Sequence, residues 1–102
     1  MGAFVAIGLP EKLARYLAGQ RGMSTLDPDQ IATAWFDQMD IAEIGCLLLG
    51  SKGDALDIIA ALHLAGYRGL VTVIAPPMPD PHMVERELKS AAKAMTVRLV
   101  VC

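Results

Sequence analysis

The chain has 102 residues and little of what usually announces a function. It has only two cysteines, Cys46 inside an apolar run and Cys102 at the last position, with no CxxC or His-rich spacing to build a metal centre. Cys46 therefore reads as a core residue, free cysteine being among the most buried residue types. Nine Lys plus Arg stand against eleven Asp plus Glu, a net charge of −2, so there is no basic field for nucleic acid. The longest apolar runs, 46–49 and 70–77, fall far short of the roughly 20 residues of a spanning helix, and no membrane role is expected. The start, Met1-Gly2-Ala3-Phe4-Val5-Ala6, carries neither the basic segment of a secretory signal nor the Ser or Thr of a myristoylation signal; the expected address is cytoplasmic. No paired carboxylates, Ser/His/Asp set or Cys/His set lies at catalytic spacing, so neither an enzyme nor a cofactor is expected.

What is present is alternation. Hydrophobic residues make up 54% of the chain, high for a soluble domain, and the length fits one core, residues 1–102. Apolar runs of strand length alternate with amphipathic helical patterns and are separated by turn residues. Ala3 to Leu9 reads as the first strand, and Glu11 to Ala18 as a helix with Leu13, Tyr16 and Leu17 on its apolar face, stopped by Gly19 and Gly22. Met23 to Leu26 is a short edge strand. Asp27-Pro28 then opens a second helix carrying Ile31, Ala34, Trp35 and Met39, with Asp40 to Glu43 as connector. Ile44 to Leu49 is a buried strand broken by Gly50-Ser51-Lys52-Gly53; Asp54 caps a third helix that ends at Gly66. Leu70 to Ala75 is a fourth strand. After the loop 76–81, which holds four of the six prolines, Val84, Leu88, Ala91, Ala92 and Met95 mark a fourth helix, and Thr96 to Val101 a fifth strand. The expected fold is a doubly wound α/β domain of the flavodoxin kind: a parallel five-stranded sheet in the order 2-1-3-4-5 with four helices.

The run Gly45-Cys46-Leu47-Leu48-Leu49, the helix Asp54 to Ala65 and the strand segment Gly69 to Ala75 resemble the receiver domain of two-component response regulators. The resemblance covers nearly the whole chain. It implies an acidic pair after the first strand, where this chain reads Gly8-Leu9-Pro10-Glu11; a phosphoacceptor Asp, which falls on Gly50; and a hydroxyl residue, which falls on Ala75 or Pro76. The following Lys would lie past Cys102. Phosphoryl transfer needs a carboxylate nucleophile and a cation with oxygen ligands. The likeness is thus to a degenerate, pseudo-receiver member lacking the last helix.

The leading expectation is a phosphorylation-independent regulatory module that works through protein contacts, with a protein partner, a C-terminal output domain or a second copy supplying the missing layer. The resemblance puts the contact surface on the fourth helix, the Pro-rich loop and the fifth strand: Met78, Pro79, His82, Met83, Arg86 and Arg98. Phe36 joins them because adjacent Trp35 and Phe36 point roughly 100° apart on a helix and cannot share one stripe. The competing expectation is a small-ligand or nucleotide-phosphate site at Gly50, Ser51, Lys52 and Gly53, where backbone N–H groups at a helix start would hold an anion and Lys52 would add a counter-charge. A plain strand-to-helix turn explains the same residues. His63 and His82 lack partners at ligand spacing, and the pair His82–Glu85 is accounted for by helix-terminus electrostatics.

Overall fold

The structure is a computed structural model and describes residues 2–33, 40–50 and 53–101. Its elements follow in chain order: β1 (Ala3–Ile7), α1 (Glu11–Ala18), β2 (Met23–Leu26), a 3₁₀ helix (Pro28–Thr33), β3 (Ile41–Leu47), β4 (Leu49–Gly50), β5 (Gly53–Asp54), α2 (Ala55–Leu64), β6 (Leu70–Ala75), α3 (Pro81–Ala92) and β7 (Thr96–Val101). The main sheet has five parallel strands in the order β2-β1-β3-β6-β7, which is the expected doubly wound order. No helix among the described residues is long and apolar enough to cross a membrane.

The helix boundaries follow local chemistry. Asp54 caps α2 by accepting from the Asp57 N–H at 3.0 Å, and Asp80 caps α3 by accepting from the Met83 N–H at 3.2 Å. Gly19 and Gly66 leave α1 and α2 with φ of 62° and 86°, conformations that cost an L side chain energy. Before the 3₁₀ helix, Gln30 Oε1 accepts from the Asp27 N–H at 2.8 Å, the return arm of a capping box.

Three local expectations are corrected. The second helix is 3₁₀ over Pro28–Thr33, giving three α-helices among the described residues; Ala34, Trp35, Phe36 and Met39 lie outside them. β3 begins at Ile41, because Ile41 and Glu43 pair with Ala3 and Phe4 of β1, so Glu43 belongs to the sheet and not to a connector. On α1, Ala14 and Ala18 are buried against Phe4 with Leu17 packed at the side of the same cluster, whereas Tyr16, expected on that face, is 82% exposed.

Register divides the sheet into two faces. Val5, Ile7, Ile44, Cys46, Val71, Val73 and Val97 point to one side and pack with Ile31, Ile58, Ile59, Leu62 and Leu88, the larger core. On the other side Phe4 and Ala6 meet Ala14 and Ala18 of α1. The Phe4 ring and Leu9 extend this smaller cluster over Gly45, where a Cβ would sit 2.5 Å from Phe4 Cζ. Gly45→Ala should therefore overpack the junction and lower stability by about 1–3 kcal/mol. Gly22→Ala, at a position with open space around it, should be nearly neutral; urea unfolding of the two variants checks the contrast.

Candidate functional site

The chain passes from β1 to β2 on one side and to β3 on the other, so the strand order reverses between β1 and β3. Such a reversal splays the connections apart above the carboxyl ends of the strands and opens a crevice there. In this chain the crevice holds about 220 Å³ and is lined by Ile7, Gly8 and Leu9 after β1, Asp27 and Pro28 after β2, Leu47 of β3, Gly50 and Gly53 of the hairpin, and Ile58 of α2. The expected turn 50–53 is in fact a small antiparallel hairpin, β4 with β5, in which Gly50 pairs with Gly53. A Cβ on Gly50 would lie 2.7 Å from the Gly53 carbonyl oxygen, so that pairing requires glycine. Gly50 and Gly53 thus form one lip of the crevice, whereas Ser51 and Lys52 lie outside the described residues.

Among the described residues, the charge at this end is unfavourable to a phosphate. The Asp54 carboxylate already occupies the first turn of α2, the place an anion would take, and Asp57 stands in the same turn. Asp27 adds a carboxyl group to the lining. Among strand ends that the receiver resemblance would make acidic or hydroxylated, Gly8 follows β1, Leu48 follows β3, and β6 closes on Ala75 and Pro76.

A second constellation lies on the α1 side of the sheet, and sequence reasoning missed it. Glu43 is 5% exposed in the central strand. Its Oε1 accepts from Arg21 Nη2 at 2.9 Å, and its Oε2 accepts from Thr72 Oγ1 and from Arg98 Nη2, the latter at 3.0 Å. Arg21 is itself fixed by donating to the carbonyls of Ala18 (3.0 Å) and Leu17 (2.7 Å), and its guanidinium stands 5.4 Å from the Phe4 ring centre. Burial alone would raise the Glu43 pKa, but the hydrogen bonds from Thr72 and Arg21 and the positive charges of Arg21 and Arg98 outweigh it and hold the pKa below 4.5. Among the described residues no buried side-chain nitrogen or oxygen lacks a hydrogen-bond partner. The signal in the sequence was faint: Glu43, Thr72 and Arg98 interrupt three apolar strands, but 29 and 55 residues separate Glu43 from its partners, and only register aligns them.

The predicted contact residues divide between two surfaces. Pro79, His82, Met83 and Arg86 are exposed, and Met78 half-buried, in the loop after β6 and the first turns of α3. Arg98 points to the opposite face of the sheet, because its side alternates with Val97, which packs in the larger core with Leu88 and Ala92 of α3. Phe36 lies outside the described residues. His63 and His82 are exposed; Glu85, the possible partner of His82, accepts from the Leu99 N–H at 3.2 Å and so covers part of the β7 edge. No group of three or more His, Cys, Asp or Glu side chains among the described residues is placed to hold a metal ion. Cys46 is fully buried, and burial pushes its thiol up to about 12, as fits a packing role.

No family model, curated protein or solved structure matches this chain.

Two outcomes are expected. Inorganic phosphate titrated into labelled protein should leave the amide resonances of Gly50, Gly53 and Asp54 unmoved; saturable shifts there would contradict the electrostatic argument. Because the folded pKa of Glu43 is lowered, its contribution to stability is present above pH 4.5 and is lost as pH falls through the folded value. Glu43→Gln should lower stability at pH 7 by roughly 1.5–3 kcal/mol, nearer the low figure because Arg98 is half in solvent, and the gap from the wild type should close at acid pH.

Proposed function

We propose that this chain is a non-catalytic regulatory module that acts through protein contact and does not depend on phosphorylation, similar to a receiver domain without its acceptor chemistry. The observation that carries the reading is the corner formed by the loop 76–80 and the start of α3. Met83 is 55% exposed there, with exposed Pro76, Pro77 and Pro79 beside it and Val101, 42% exposed, at the end of β7. Prolines and the Asp80 cap hold this apolar corner in one conformation, so little ordering entropy is lost when a partner docks. A signalling role and a protein partner or output domain follow from the same reading. Self-association through this corner is the homo-oligomeric variant. A cytoplasmic address accompanies the proposal, in keeping with a reduced thiol at Cys46.

A second reading rests on the crevice between β1 and β3. Its mixed polar and apolar walls and glycine lip fit a small, compact, uncharged ligand better than a nucleotide phosphate, given the Asp54 carboxylate at the start of α2.

A photoreactive side chain at Met83 should crosslink the chain to a protein partner, whereas the same group at Tyr16 on α1 should not. Beryllofluoride with Mg²⁺ should leave the amide spectrum unchanged. Equal crosslinking at both positions, or a beryllofluoride-dependent spectral change, would overturn the proposal.

A further inference from the structure

α2 differs from the other α-helices on its outer side. Ala55, Ile58, Ile59 and Leu62 are buried in the larger core, and the helix also touches the 3₁₀ helix and α3. On α1 the outer side carries Glu11, Lys12 and Arg15, and on α3 it carries Arg86, Glu87 and Lys89. On α2 it is Leu56, Ala60 and Leu64 that stand in solvent, the two leucines 43% and 87% exposed. Only Asp57 and His63 interrupt an otherwise apolar helix. A helix that is apolar on every side is ordinarily covered on every side.

Spacing decides what fits over this side. Leu56, Ala60 and Leu64 follow one another at four residues and form one ridge along the helix. Asp57, Ala60 and His63 follow at three and form a second ridge, which crosses the first at Ala60. When two copies of α2 meet with their leucine ridges aligned, the helices cross at about 50°, the commonest packing angle. A two-fold axis along the aligned ridges then sets Ala60 on Ala60, where two methyl groups let the backbones approach, and leucine beside leucine at both ends. The same axis reverses the second ridge, so that Asp57 of each copy faces His63 of the other. An imidazole N–H donates to a carboxylate whether the ring is charged or neutral. The surface is thus complementary to itself, which is the requirement of a two-fold interface. A bilayer fits less well, because residues 55–64 hold no Lys or Arg for anionic headgroups and Asp57 lies within the patch.

We propose that the outer side of α2 is a contact between two copies of this chain, crossed at Ala60 and closed by two reciprocal Asp57–His63 pairs. The contact is separate from the α3 corner and does not depend on it. A helix of ten residues offers a footprint about 15 Å long and about 10 Å across, short of the roughly 800 Å² that each partner of a stable dimer buries. Association through it is therefore weak and reversible, and the concentration of the chain sets its extent.

The test uses the whole chain. Sedimentation equilibrium between micromolar and millimolar concentration should show monomer and dimer exchanging, and Ala60→Lys, at an exposed position, should abolish the dimer. Asp57→His, which sets histidine against histidine, should weaken the dimer about tenfold. Adding His63→Asp should restore it, with the fold of each variant confirmed by its amide spectrum. In a Cys102→Ser background, where buried Cys46 is the natural thiol that remains, Ala60→Cys should form an intermolecular disulfide under mild oxidation. Tyr16→Cys, on the exposed side of α1, should not. A chain that stays monomeric, dimers that persist in Ala60→Lys, equal crosslinking at positions 60 and 16, or a double variant no tighter than Asp57→His would overturn the proposal. Dimers lost in Met83→Lys but kept in Ala60→Lys would overturn it while supporting self-association at the α3 corner.

Discussion

A carboxylate in the middle strand of the sheet governs how this domain meets water on its α1 side. Glu43 is buried, and a buried charge persists only when its hydrogen-bonding capacity is filled. Thr72 and Arg98 fill it from β6 and β7, and Arg21 fills it from the turn after α1. The network therefore ties three strands to the end of the first helix. It also lays two long arginine stems along a face that α1 alone does not span. The middle row of that face is therefore polar and satisfied.

The same network marks the boundary between two kinds of surface. Toward β2 the α1 side is a small apolar cluster built on Phe4, Ala14 and Ala18; toward β7 it becomes mixed, with Arg98 outermost. The opposite face is closed by a larger core in which Ile59, Leu62, Val71 and Val73 are fully buried. The proposed protein contact rests on the α3 corner, and the small-molecule reading rests on the crevice between β1 and β3. The glycines of that crevice shape its backbone.

The sheet order was legible because each strand shows its own burial pattern. Leu70 to Ala75 is apolar except for Thr72 and central, whereas Met23 to Leu26 is short, half polar and at an edge. The cap Asp54 was equally readable, since a cap is decided by neighbours three residues away, whereas Asp80, which caps α3, was read only as part of the Pro-rich loop. What escaped was non-local or lay at a boundary. Glu43 looked like connector because its pairing partner, Phe4, is 39 positions earlier in the chain. The hairpin at 49–54 looked like a plain turn because two-residue strands carry no periodicity. Arg98 was singled out as a contact residue, but its place opposite α3 depended on parity within β7, which the α3–β7 grouping ignored.

The most direct test of this account is the accessibility of side-chain methyl groups to a soluble paramagnetic probe at concentrations where the chain is monomeric. The methyls of Leu70 and Val100 should relax strongly, whereas those of Val73 and Val97, on the face closed by α2 and α3, should be protected. Equal protection of Leu70, Val100, Val73 and Val97 would mean that the β6–β7 part of the α1 side is already covered, and would contradict the account.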